Sequence, residues 1–343
     1  MHKVHAEGAL FTYVKNKKLH GIVVSHVDDL FLAGDEVFAM EVEAKLGEFF
    51  KLSKTESGSF KYCGCKITQN EDGSIKLDQN DYAQKIQEIT VDNGVDEGRK
   101  LSNFEQRILR GKIGEILWLS LMSRPDLAFE VNRLASEIST ASIKTFKEVN
   151  LLVRKAKNRQ EALVFSRLGD ISNLRITLFT DASYNNLDGQ TRSTEGRVIL
   201  VENPLSRKVC LLSWKTKKIP RVCRSVKSAE TRSLDDGLDD AIHTARLFKE
   251  VYQGCINLKE PCQIPVAART DSKSLWESLN NSRQCEEKLL RSTIAGIKEF
   301  INLGYVASID WVTTDQQLAD CLTKKGSAKK ADWLLTVART NEI

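Results

Sequence analysis

The chain is poor in the residues that build soft-metal sites and in the segments that enter membranes. Its 343 residues include eight cysteines but no Cys-x-x-Cys pair, and only Cys63 and Cys65 lie close together. That spacing argues against a zinc ribbon or finger and implies reduced thiols in an intracellular protein, cytoplasmic or nuclear. Five histidines are scattered, none beyond His243. No apolar run reaches the ~18 residues of a membrane span, and the N-terminus lacks the apolar stretch of a signal peptide. No internal repeat or low-complexity segment stands out. The net charge of +5 is mild, compatible with a nucleic-acid partner without demanding one. At 41% hydrophobic, the chain can bury more than one core.

Residues 8–34 read as β-structure: Ala9–Val14 and Gly21–Val27 flank a polar turn, and Leu30–Ala33 resumes the apolar run after Asp28-Asp29, giving a hairpin with two acids at its tip. Residues 36–48 read as a helix. Phe60–Thr68 and Ser74–Leu77 form a second hairpin around Glu71-Asp-Gly73, and Gln79–Ile89 a helix. The polar stretch 92–102 is a joint. Residues 105–164 read as helices broken at Arg124-Pro125-Asp126 and near Thr140-Ala-Ser142. From about 171 the order becomes βββαβαβα: strands 174–181, 196–201 and 209–214, a helix 229–252, a strand 263–270, helices 272–280 and 286–302, a strand 305–312 and a helix 315–323. That order implies a mixed sheet covered by helices.

Four acids sit at the edges of these elements: Asp181, Glu230, Asp271 and Asp320. In the helix 229–252, Leu234, Leu238, Ala241, Ala245, Phe248 and Tyr252 recur at steps of three and four and form one apolar face. Glu230 lies one turn before Leu234 on that face, so it points toward the sheet, with Ser228 as the N-cap. The plain alternative for Glu230 is an acid facing the helix dipole. Asp271 has the alternative of capping the helix that begins at Ser272, and Asp320 that of a solvated acid in a helix opened by the box Thr314-x-x-Gln317. Taken together, several acids without His or Cys suit Mg²⁺, which takes oxygen ligands. Two such ions about 3.5–4 Å apart cleave phosphodiesters.

These residues also carry a family resemblance. Phe179-Thr-Asp-Ala-Ser183, Arg224-Ser-Val-Lys-Ser-Ala-Glu230, Thr270-Asp-Ser272 and Asp315-Gln-Gln-Leu-Ala-Asp-Cys-Leu-Thr-Lys324 match, in order and spacing, the ribonuclease H domain of Ty1/copia-type retrotransposon Pol polyproteins. From about residue 8 onward the chain resembles the C-terminal part of such a Pol. Upstream, Ser25-His-Val-Asp-Asp29 is similar to the Val-Asp-Asp turn of a reverse-transcriptase palm, with His26 where an aromatic residue usually stands. Phe60–Ile67 fits the pattern that follows it, and Trp118–Asp126 resembles the segment joining polymerase to ribonuclease H. The resemblance implies a partial palm over 1–100, a helical connection over 101–168 and a ribonuclease H-like domain over 169–343. That domain would have a mixed five-stranded sheet with flanking helices. It further implies that Asp181, Glu230, Asp271 and Asp320 bind two Mg²⁺ ions, with Mn²⁺ as substitute, and catalyse hydrolysis of the RNA strand of RNA–DNA hybrids, leaving 3′-OH and 5′-phosphate ends.

A polymerase site needs a further Asp on an earlier strand, and the 27 residues before Asp28 contain Glu7 but no Asp. Asp28 and Asp29 are therefore expected to be a vestigial polymerase site, and the chain alone to lack polymerase activity. Nucleic-acid contacts are expected from Lys215, Lys217, Lys218, Arg221, Arg224 and Lys227, a basic connection without acids that leads to Glu230, through sequence-independent, salt-sensitive phosphate binding. The loop 185–192 is a weaker candidate for contacts to the RNA strand, whose 2′-OH distinguishes it from DNA. Trp118, Trp214 and Trp311 are expected in the core. The expected partner is an RNA–DNA hybrid, with other Pol segments as further candidates and no membrane. The rival readings are a catalytically silent nucleic-acid-binding remnant and a co-opted interaction protein.

Overall fold

The computed structural model describes residues 1–343 apart from 17, 53, 93, 186–191, 255–263, 282–284 and 286. Residues 2–34 form an antiparallel meander of β1 (His2–Lys3), β2 (Leu10–Lys15), β3 (Lys18–His26) and β4 (Asp29–Gly34). The helix α1 (Glu36–Phe49) folds back on it through Phe38, which is 3% exposed. Gly21 and Gly34 are paired across β3 and β4, and a Cβ on either would come within 2.5 Å of the Phe38 ring, so this approach requires glycine at both positions.

A second antiparallel sheet joins β5 (Ser59–Tyr62), β6 (Cys65–Gln69) and β7 (Ile75–Asp78), followed by the short α2 (Asn80–Lys85). The expected run 60–68 is thus itself a hairpin, turned at Cys63 and Gly64, both in the left-handed region. The expected helix 79–89 stops at Lys85.

Next come α3 (Asn103–Met122), α4 (Ala128–Ser136) and α5 (Ile143–Asn158), whose apolar faces enclose Leu109, Ile116, Leu134 and Val153. Pro125 opens a 3₁₀ turn between α3 and α4, as its missing N–H and fixed φ dictate. Arg124, at this break, is 1% exposed and forks onto the Asp126 carboxylate at 2.8 and 3.0 Å. Its remaining donors reach the carbonyls of Ala156 and Arg159. The end of the expected helical region is instead the strand β8 (Leu163–Phe165), which pairs with β7.

The C-terminal part contains β9 (Arg175–Ser183), β10 (Thr194–Asn203), β11 (Lys208–Lys218), α6 (Val226–Gln253), β12 (Val266–Thr270), α7 (Lys273–Asn280), α8 (Arg291–Asn302), β13 (Ser308–Trp311) and α9 (Ala328–Thr340). The sheet order is β11-β10-β9-β12-β13, with β9, β10 and β11 antiparallel and β12 parallel to both β9 and β13. This is the expected mixed five-stranded sheet with flanking helices.

Period-two alternation divides its two faces. Ile176, Leu178, Ile199 and Val201 pack with Leu234, Leu238, Ala241 and Ala245 of α6 and with α7 and α8. Phe179, Val198, Leu200, Leu211 and Trp214 pack on the other face with Leu318, Leu322 and α9. That second cluster takes in Ala128 and Leu163, and the Trp214 indole donates to the Ser120 carbonyl at 2.8 Å, so one apolar core crosses the 168/169 division.

Several local expectations change. The helix carrying Glu230 begins at Val226, and its cap is Ser225, whose hydroxyl accepts from the Ser228 N–H at 3.0 Å. The segment 315–323 is two 3₁₀ turns, Thr314–Gln316 and Leu318–Leu322. The capping box at Thr314 does not form, because Gln317 is buried and donates to the Thr180 carbonyl of β9 at 2.9 Å. Residues 328–340, unassigned in the sequence, form α9. Trp214 is core, but Trp118 and Trp311 are 39% and 44% exposed. Residue 263 of the expected strand and residue 286 of the expected helix lie outside the described residues. Among the described residues no helix is long and apolar enough to cross a membrane.

Candidate functional site: a buried carboxylate cluster

The parallel pairing of β9 with β12 builds the site. Arg269 stands beside Phe179, so two residues further on Asp271 comes level with Asp181. Both acids thus emerge at the carboxyl ends of parallel strands, where such sheets commonly bind ligands. The first turns of α6 cross this edge and bring in Glu230. One oxygen from each of Asp181, Glu230 and Asp271 lies within 4.8 Å of the other two. Asp181 and Glu230 are 1% and 5% exposed, and Asp271 is half-buried.

The surrounding hydrogen bonds hold the three acids in place. Ser233 donates to the Asp181 carbonyl at 2.9 Å, and the Ala182 N–H reaches Glu230 Oε1 at 3.3 Å. The other Glu230 oxygen is buried with no hydrogen-bond partner. Asp271 accepts from the Thr314 hydroxyl at 3.0 Å, and its carbonyl accepts the Trp311 indole N–H at 3.1 Å. Asp271 does not cap α7: the cap is Ser272, with no side-chain capping bond.

Burial, followed by the charges of Asp181 and Asp271, pushes the Glu230 carboxyl well above its ordinary range. Burial likewise raises Asp181; Lys324 and the Thr323 hydroxyl oppose that rise, and Asp271 and Asp320 reinforce it.

Asp320 is buried beside this cluster but stands outside its tight group. Its carboxylate is bound by Lys324 and by Lys330 at 3.1 Å. Burial opposes its charge, yet the two lysines prevail and hold its carboxyl below the ordinary range. Lys324 also comes within 3.6 Å of Asp181. The segment that carries these residues sits close over β10 because Gly196, paired with Asp181, has no side chain: a Cβ there would lie 2.7 Å from Thr323 and 2.8 Å from Leu322.

Lys324, Lys330 and Thr323 were not singled out in the sequence. Lys324 was within reach of such a reading, since a cation four residues after an acid is a helical ion-pair spacing. Lys330 lies on a different element and carried no such signal.

The basic connection divides in two. Lys217 is on β11 and pairs with Asp236 at 3.0 Å and Glu195 at 3.3 Å, while Lys227 donates to the Ser278 hydroxyl at 2.6 Å. Lys215, Lys218, Arg221 and Arg224 are exposed. A cavity of about 270 Å³ beside the start of α6 is lined by Arg224, Ser228, Arg232, Lys288 and Glu287. Of the loop 185–192, residues 186–191 lie outside the described residues. Asp28 and Asp29 are exposed at the β3–β4 turn and, among the described residues, belong to no group of three metal-binding side chains. The six described cysteines, Cys63, Cys65, Cys210, Cys223, Cys285 and Cys321, are free thiols.

No family model matches the chain. Solved structures similar to part of it include the following three. The N-terminal RNase H domain of rv2228c from Mycobacterium tuberculosis, solved as a fusion with maltose binding protein, is 19% identical over 47% of this chain and 97% of its own, with a TM-score of 0.31. LC11-RNase H1 in complex with an RNA/DNA hybrid is 16% identical over 43% of this chain and 94% of its own, with a TM-score of 0.31. RNase H1 from the halophilic archaeon Halobacterium salinarum NRC-1 is 17% identical over 45% of this chain and 97% of its own, with a TM-score of 0.30.

Proposed function

We propose that this chain derives from a Ty1/copia-type Pol and that its C-terminal part, residues 169–343, hydrolyses the RNA strand of RNA–DNA hybrids. The observation that carries the reading is the meeting of Asp181, Glu230 and Asp271 from three separate elements, two of them buried and one, Glu230, with an oxygen left without a partner. Three like charges at this spacing destabilise one another, and a divalent cation is the natural counter-charge. The donors fit Mg²⁺: all are oxygens, and the buried Glu230 oxygen without a partner is an acceptor that a cation would satisfy. Asp181, Glu230 and Asp271 would hold the ions, and Asp320 would join them after exchanging Lys324 or Lys330. Bound Mg²⁺, or Mn²⁺ in its place, supplies Lewis acidity and lowers the pKa of a water for phosphodiester hydrolysis.

The protein's own groups perform the rest. Trp311 and Thr314 fix Asp271, and Ser233 fixes the backbone of Asp181. Arg224, Arg232 and Lys288, around one cavity near the start of α6, provide cationic contacts for backbone phosphates. Residues 1–100 and 101–168 correspond in this reading to a partial palm and a connection. Asp28 and Asp29 do no polymerase chemistry by themselves, a reading supported by their exposure and by the lack of a third acid beside them among the described residues.

One observation favours a second reading, a silent nucleic-acid-binding remnant: Lys324 already lies against Asp181 and Asp320. A labelled RNA–DNA hybrid assayed with Mg²⁺ decides between them. Asp181→Asn and Glu230→Gln are each expected to lower cleavage at least about a thousandfold, or about 4 kcal/mol, with hybrid binding retained. Undiminished cleavage by both variants rejects the site. Binding by the wild type without cleavage selects the remnant.

A further inference from the structure

We propose that His2, His5 and Glu250 form a second divalent-metal site, of zinc type, that fastens the N-terminal strand to the far end of α6. Glu250 lies in the last turns of α6, twenty residues beyond Glu230, which is about five and a half turns at 3.6 residues per turn. It therefore faces away from the carboxylate cluster. Its side chain is 1% exposed, with His5 and Ala6 of the N-terminal segment against it.

An isolated carboxylate buried so deeply is costly. The N-terminal segment supplies its partners: the His5 N–H at 2.6 Å, the Ala6 N–H at 3.1 Å and the His5 ring nitrogen Nδ1 at 2.8 Å. Both Glu250 oxygens are thus held in place by the N-terminal segment.

His2 supplies the second observation. Its Nε2 is buried and has no hydrogen-bond partner, although the ring stands 5.8 Å from that of His5. A buried polar nitrogen left unpaired is destabilising. One ligand atom from each of His2, His5 and Glu250 falls within 4.8 Å of the others. Tetrahedral bonds of about 2.0–2.2 Å place ligand atoms roughly 3.3 Å apart. Closing on an ion therefore asks for a shift of up to about 1.5 Å, beside a two-residue strand at a sheet edge. Two imidazole nitrogens and one carboxylate oxygen favour Zn²⁺ over Mg²⁺ or Ca²⁺, which prefer all-oxygen sites. The His5 side chain is 66% exposed, so water can complete the coordination.

The chemistry separates this site from the carboxylate cluster. Equilibrium dialysis of the full chain against Zn²⁺ in excess Mg²⁺ should detect one zinc equivalent whose affinity falls at least about tenfold in His2→Ala and in His5→Ala, and is unchanged in Asp181→Asn. Hydrogen exchange supplies an independent readout: Zn²⁺ should slow exchange of the amides of residues 2–6 and of the last turn of α6 in the wild type, and not in His5→Ala. Equal zinc affinity in the wild type and both His variants overturns the proposal, as does a wild type whose only zinc site is lost in Asp181→Asn. A wild type with no zinc-dependent protection overturns the fastening role.

Discussion

Two groups of buried charge in this protein are handled in opposite ways. At the break between α3 and α4, Arg124 and Asp126 meet in a two-bond fork. Lys155 adds a further contact at 3.1 Å, and two backbone carbonyls use the remaining guanidinium donors. At the sheet edge, Asp181, Glu230 and Asp271 bring like charges together, and one Glu230 oxygen has no partner. Burial opposes ionisation in both places. Arg124 and Lys155 reverse its effect at Asp126, whose carboxyl lies below the ordinary range, whereas the neighbouring acids add to it at Glu230. A satisfied buried ion pair is a structural clamp. A cluster of one sign, held by hydroxyl and indole donors without an adequate counter-charge, is arranged for a ligand.

The largest expected effect on stability breaks the clamp. Arg124→Ala leaves buried Asp126 with Lys155 as its one remaining cationic contact, and should cost about 3–5 kcal/mol in urea unfolding. A change near zero would mean that the pair contributes nothing as a clamp.

The second prediction concerns pH in metal-free buffer. Asp126 has a depressed folded pKa, so its contribution is present above the unfolded value of about 3.9 and is lost as pH falls through the folded pKa. Glu230 has the opposite sign: its raised folded pKa gives stability that is full below about 4.3 and is lost as pH rises through the folded value. Urea midpoints of Asp126→Asn should accordingly lose less on acidification than those of the wild type, and midpoints of Glu230→Gln should fall less as pH rises above 4. Parallel profiles for the two variants would erase the contrast.

A smaller effect follows at neutral pH. Glu230→Gln removes one of the clustered charges, so the metal-free variant should melt at or slightly above the wild-type temperature. Mg²⁺ should stabilise it less than the wild type, because metal bound to the folded state raises its apparent stability. A marked loss of metal-free stability would give Glu230 a structural role instead.

The smallest effect separates exposed from engaged cations. Arg224→Ala should reduce the slope of log affinity for a hybrid against log salt by about 1, whereas Lys217→Ala, whose ammonium is paired with Asp236 and Glu195, should leave the slope unchanged. Equal changes in both would show that the ion pairs do not withhold Lys217 from phosphate.

Much of the site was legible from local periodicity. The helical phase of Leu234, Leu238 and Ala241 aimed Glu230 at the sheet, and the apolar runs before Asp181 and Asp271 placed each of them at the end of a strand. Local signals misled where a tertiary partner intervened. Gln317 had the spacing of a capping box but bonds to the Thr180 carbonyl, and Asp271 had the position of a cap but bonds to Thr314. Trp311 read as core because it ends a strand, yet it is largely exposed while its N–H holds the Asp271 carbonyl.

The sequence by itself determined which acids lie at element edges and which helix face is apolar, because side-chain direction in helices and strands follows from backbone repeat. Only the tertiary structure decided that Asp181, Glu230 and Asp271 meet while Lys324 and Lys330 bind Asp320, and that Glu250 is buried by a segment more than two hundred residues earlier in the chain. Desolvation and Coulomb interaction depend on distance in space, and packing brings those groups together from elements far apart in sequence.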